Sequence, residues 1–262
     1  MCRKDQLPFN NLEQSTETLK NHIVIFGWDY FVKSIVEQLV KARQDVLVIT
    51  NNHEQQDILN DFGEKYKPSL LISSFHDHQQ LAQADIQNSR IVLVNLQDDT
   101  KNLVFVLKLK RRYPGVRIVV PIDNAELRDT FVKAGITYSL SRTEIGAKLF
   151  ASHLFEKHVA TYLEDILASG GDDEDEYDIQ QYLMIAGSPL LGDSYQDAFL
   201  KLKKEFNAIL IGISKLNSDG TRQLYKNPYG PLSVETTDFL IVIINGPAAE
   251  EISAFFGVEE GG

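Results

Sequence analysis

The sequence predicts an α/β fold: a Rossmann-like, doubly wound parallel sheet, then a long crossover helix and a small α+β C-terminal lobe. Three observations predict it. Between His22 and Leu140, short runs that are apolar throughout alternate with segments of helical spacing, the pattern of parallel strands covered on both faces by crossover helices. The first of these runs closes on Gly27, where a strand hands over to a helical pattern. Further on, a glycine hinge and an unbroken acidic run, Ser169-Gly170-Gly171-Asp172-Asp173-Glu174-Asp175-Glu176, mark a solvated boundary before the small lobe.

Residues 1–20 are polar, lack the apolar stretch of a secretory signal, and read as a tether or disordered lead-in. Residues 21–142 carry the sheet, with strands at Ile23 to Phe26, Val46 to Ile49, Leu70 to Ser73, Ile91 to Val94, Ile118 to Val120 and Thr137 to Leu140. Phe31, Val32, Ile35, Val36, Leu39 and Val40 share one face of the first helix. Asn52 followed by Gln55 resembles a capping box, and Gly63 supplies the stop of the second helix. Pro114-Gly115 ends the fourth helix and Gly135 the fifth. Ser141 with Glu144 makes a capping box that opens a helix through about Ala168, striped by Ile145, Leu149, Phe155, Val159, Tyr162, Leu163 and Ile166. A helix of that length beyond a finished sheet needs something to pack against, and a second subunit is the candidate. Residues 143–178 are thus crossover helix and acidic linker. In the lobe at 179–258, Tyr182 to Ala186, Ala208 to Ile213 and Phe239 to Ile244 read as strands, Tyr195 to Glu205 as a helix, and Asn217-Ser218-Asp219-Gly220 as a turn.

Composition removes several function classes. The longest apolar run, Phe239 to Ile244, is far short of a membrane span. A net charge of −11 argues against nucleic acid, whose phosphates require a basic face. Cys2 is the single cysteine, which excludes an intrachain disulfide and a cysteine-based metal site, and suits a reducing cytoplasm. The basic cluster Lys108 to Arg112 closes a helix, where cations complement the dipole.

The candidate ligand site lies at the carboxyl ends of the strands. A dinucleotide loop wants G-x-G-x-x-G, and the six positions here read Gly27-Trp28-Asp29-Tyr30-Phe31-Val32. Only the first glycine is present; Asp29 stands where a diphosphate would rest, and its charge would repel one. After the second strand, Asn51 replaces the usual acid, suited either to a ribose hydroxyl or to capping the next helix. Ser73 and Ser74, Asn95 with Asp98 and Asp99, and Asp123 follow the third, fourth and fifth strands. Gly27, Trp28, Asp29, Asn51, Ser73, Asn95 and Asp123 therefore form the candidate set, for a nucleotide's sugar and base or for a divalent cation. Asp99 and Asp123 also stand where helix N-caps are expected. The acidic run Asp172 to Asp178 lacks the ligand spacing of an EF-hand, and the histidines lack metal-ligand spacing. No nucleophile elbow or acid–base pair for catalysis is present.

Several of these segments, in their order and spacing, resemble the RCK (regulator of potassium conductance) family with its TrkA-type lobes. They are His22-Ile23-Val24-Ile25-Phe26-Gly27-Trp28, Ser89 to Asn95, Arg117 to Val120 and Val132-Lys133-Ala134-Gly135. In the small lobe they are Ser188-Pro189-Leu190-Leu191-Gly192, Ile211-Gly212-Ile213, Asn227-Pro228 and Asp238 to Ile243. The resemblance spans about residues 20–258. It implies a non-enzymatic cytoplasmic sensor at the inner face of the cell membrane, attached to or associated with a potassium channel pore. Domains of this kind pair through the crossover helix into homodimers, the pairs form a ring, and a small ligand changes the ring's shape. The alternatives are a TrkA-like peripheral subunit of a potassium transporter and, from the sheet alone, an NAD(P)-dependent oxidoreductase. Calcium-gated relatives place three carboxylates where this chain has Asn95, Pro121 and Asp123. Nucleotide-binding relatives keep the glycine loop and the acid that Asp29 and Asn51 replace.

Overall fold

In the computed structural model, residues 21–52, 62, 67–96, 98–167 and 177–261 are described. The expected lead-in, the helix expected between Asn52 and Gly63, and most of the acidic linker lie outside them. The chain divides into two compact units between Ala151 and Ser152.

The first unit is built on six parallel strands, β1 (Ile23–Phe26), β2 (Val46–Thr50), β3 (Ser69–Ile72), β4 (Ile91–Val94), β5 (Ile118–Ile122) and β6 (Tyr138–Ser141). Their order is β3-β2-β1-β4-β5-β6, so the strand order reverses between β1 and β4, the switch point at which a crevice opens. β1 and β2 are buried at every residue, which is why their sequences are apolar without alternation. Val24 and Phe26 face one cluster with Leu47, Ile49, Val92 and Val94; Ile23 and Ile25 face another with Val32 and Val36. Those last two belong to α1 (Tyr30–Lys41), while Phe105, Val106 and Leu109 cover the opposite face from α3 (Asp99–Arg112). The shorter α2 (His78–Ala82) and α4 (Arg128–Lys133) complete the crossovers. β5 runs two residues past the expected end because Pro121 and Ile122 still pair with Leu140 and Ser141 of β6; its ladder to β4 has already stopped at Leu93 and Val119, so Pro121, which has no N–H, leaves no bond to β4 unmade.

The single helix expected from Ser141 is two: α5 (Arg142–Phe155) and α6 (Lys157–Leu167). Glu156 separates them. Its amide closes α5 on the Ser152 carbonyl at 2.6 Å, and its own carbonyl accepts the first α6 bonds, from Val159 and Ala160. The Ser141 hydroxyl does accept from the Glu144 amide at 3.2 Å, but the Glu144 carboxylate pairs with Arg128 at 2.7 Å.

In the second unit, β7 (Tyr177–Leu183), β10 (Phe239–Asn245), β8 (Ile209–Leu216) and β9 (Arg222–Lys226) form an antiparallel sheet in that order. α7 (Tyr195–Phe206) and α8 (Gly246–Phe256) pack on it through Ala198, Leu202, Ile252 and Phe256. β7 starts five residues before the expected strand. Its inward positions, Asp178, Gln180 and Tyr182, form a buried chain of hydrogen bonds, so the end of the acidic run is strand and not solvated linker. Among the described residues no helix is long and apolar enough to cross a membrane.

Candidate functional site

The register of β1, β2 and β4 brings their carboxyl ends to one level, with Phe26 opposite Ile49 on one side and Val94 on the other. Gly27 then donates to the Ile49 carbonyl and Asn95 to the Phe26 carbonyl, each at 2.9 Å. The glycine is obligatory: its φ is +95°, and a Cβ there would lie 2.0 Å from the Asn95 carbonyl oxygen. Above it opens a cleft of about 500 Å³, within the range of small-molecule sites. Gly27, Trp28, Asp29, Asn51 and Asn95 all line it.

The other walls come from residues that carry no motif in the sequence. Phe75 and Phe105 form an aromatic floor, packed edge-on with Phe26 at centroid distances of 5.9 and 4.8 Å. Thr100, Lys101, Val104, Phe105 and Lys108 present one face of α3 to the cleft. Their spacing of four and eight residues was the available signal. Lys108 belongs to this wall; the cations in the last turn of α3 that complement its dipole are Lys110, Arg111 and Arg112.

Ser73 and Asp123 lie elsewhere. Ser73 is buried, with its hydroxyl on the Ser74 carbonyl at 3.0 Å. Asp123 pairs with Arg142, the first residue of α5, at 2.7 Å. The expected caps are also displaced by one residue. Asp98, not Asp99, caps α3, accepting from the Lys101 amide at 2.8 Å, and this bond holds its carboxyl below the usual range. Asn124, not Asp123, caps the short turn Ala125–Leu127. Asp99 instead accepts from the amides of Asp123 and Asn124, at 3.1 and 2.9 Å, and shapes the end of β5.

Asp29 is the pivot of the site. One carboxylate oxygen accepts from the Val32 amide at 2.8 Å and so caps α1; the other accepts from the Asn95 side-chain amide at 2.8 Å. The oxygen of that amide faces an Arg142 guanidinium nitrogen at 3.4 Å. Arg142 also lies over the Phe31 ring, 5.0 Å from its centre. A relay Asp29–Asn95–Arg142–Asp123 therefore crosses the strand ends from α1 to α5. A helix N-terminus beside a sheet crevice is the usual seat of a diphosphate, since its amides and dipole favour an anion. Here the chain's own carboxylate sits in it, and the diphosphate of a dinucleotide does not fit. Among the described residues no three His, Cys, Asp or Glu side chains gather in one place.

A family model of the TrkA-N domain matches residues 23–142, which are the six strands, their crossovers and the first residue of α5. The chain is also 21% identical over 232 residues to "Probable potassium channel protein 2" of Methanocaldococcus jannaschii, an alignment covering 87% of this chain and 65% of that relative's length. Among solved structures, the human SLO3 gating ring overlays with a TM-score of 0.62 at 12% identity, across 90% of this chain and 46% of that one. The GsuK channel bound to NAD overlays with a TM-score of 0.45 at 15% identity, across 91% of this chain and 39% of that one. The chain thus spans 65% of its curated relative's length and under half of these two solved structures.

Proposed function

We propose that this chain is the ligand-sensing gating module of a potassium channel, working as a dimer or larger ring that passes a ligand-induced change of shape to the pore. The observation that carries the reading is the homology to a potassium channel protein over 87% of the chain, with the TrkA-N domain inside it. On this reading the domain is regulatory, residues 179–258 act as a TrkA-C-like lobe, and the module works in the cytoplasm beneath the membrane.

Support for assembly comes from α5. It buries none of its residues, and exposes Phe150 by 77% and Leu154 by 87%. Neighbouring α6 leaves Val159, Tyr162 and Leu163 exposed in part. Apolar surface of that kind marks an association face. Gating then follows as population shift: a ligand that binds one ring geometry more tightly moves the equilibrium by its difference in affinity. A TrkA-like peripheral subunit of a potassium transporter is the second reading, favoured by the TrkA-N match itself.

The test is flux. A bacterium lacking its own potassium uptake, expressing a potassium pore with and without this chain, is assayed for rubidium uptake. Uptake that depends on the chain supports the reading, and uptake indifferent to it overturns it.

A further inference from the structure

We infer that the cleft takes an uncharged nucleoside in preference to its phosphorylated forms, because Asp29 already occupies the phosphate subsite. The inference rests on the cleft being the module's ligand site and adds the class of ligand.

Volume does not separate the two, since a cleft of about 500 Å³ admits either a nucleoside or a nucleotide. Charge and occupancy do. The third amide of α1 is committed to the Asp29 carboxylate, and the fourth, that of Lys33, to the Asp29 carbonyl at 2.9 Å. A phosphate entering there must displace a carboxylate held from two sides and then share space with its charge. Asp29 is not free to swing aside, because Asn95, 4% exposed, grips its second oxygen and is itself oriented by Arg142. The remaining walls suit the rest of a nucleoside. Trp28, Phe75 and Phe105 offer flat apolar surface for a base, and Asn51 stands at the end of β2, the usual place for a ribose partner. Asp29 keeps acceptor capacity for a ribose hydroxyl.

The lysines on α3 are the competing feature. Lys101 is paired with Asp98 at 3.4 Å; Lys108 lies two helical turns further along the same wall. A phosphate drawn to Lys108 would appear as a preference for adenosine monophosphate.

The experiment is calorimetric titration of the full chain with adenosine, AMP and ADP, repeated on Asp29→Asn and Asp29→Gly. The wild type is expected to bind adenosine at least as tightly as AMP or ADP. Asp29→Asn removes the charge and keeps the cap, and Asp29→Gly clears the subsite, so the ADP-to-adenosine affinity ratio should rise at least tenfold from wild type to Asp29→Gly. Asp29→Asn should fall between them. A melting curve shows whether Asp29→Gly stays folded, and if it does not, Asp29→Asn carries the comparison. The inference is overturned if the wild type prefers AMP or ADP tenfold, if the ratio does not move in the variants, or if adenosine does not bind. None of these outcomes depends on rubidium uptake, so the ligand class and the gating role fail separately.

Discussion

Gly27 lets the turn after β1 lie directly against the end of β4 by having no side chain. With a Cβ 2.0 Å from the Asn95 carbonyl and a φ of +95°, Gly27→Ala must move β4 or the turn. The expected cost is about 2–4 kcal/mol in urea unfolding, the size of a strained backbone position. A loss within about 0.5 kcal/mol, as for an ordinary surface change, would contradict it. Tyr182 gives a second measurement. Burial pushes its phenol up from 10.0 to about 12, while its hydroxyl donates to Gln180. The folded state therefore favours the protonated form, so this stability is complete below pH 10 and is lost as pH rises from there through about 12. Tyr182→Phe should flatten that alkaline limb of the stability curve relative to wild type. Parallel limbs would mean the phenol does not contribute.

At the scale of elements, Arg142 ties the start of α5 to β4, β5 and α1. Arg142→Ala should speed hydrogen exchange of amides in the first turn of α5 while leaving β1 and β2 unchanged, and equal protection in both proteins would remove the tie. The same scale shows what was legible in the sequence. β1 and β4 agree residue for residue, because strands buried on both faces are apolar runs with abrupt ends. β9 was not legible, since Arg222, Gln223, Leu224, Tyr225 and Lys226 form an edge strand that is largely exposed and carries no periodic signal. α8 hid behind Gly246-Pro247, which reads as a breaker yet places proline in the first turn, where a helix tolerates it. The cleft divides in the same way. The residues after β1, β2 and β4 were readable because strand ends are fixed by topology. Lys101, Lys108 and Phe105 were not, because which face of α3 turns to the crevice depends on packing the sequence does not print.

For the molecule as a whole, each compact unit has its own core, one around β1, β2 and β4 and one around β7, β8 and β10. Calorimetry should therefore give a measured enthalpy larger than the van't Hoff value, whereas one two-state transition seen by every probe would mean the units unfold together. The bare flank of α5 has a further consequence, for ionic strength. Each copy carries a formal charge of −11, so two copies repel at long range while Phe150 and Leu154 attract only at contact. On the proposed pairing through this flank, raising salt from about 0.05 to about 0.5 M screens the repulsion and leaves the apolar contact intact, so sedimentation should show tighter self-association in salt. Leu154→Asp should abolish that gain. An interface built on opposite charges would do the reverse and loosen as salt is added.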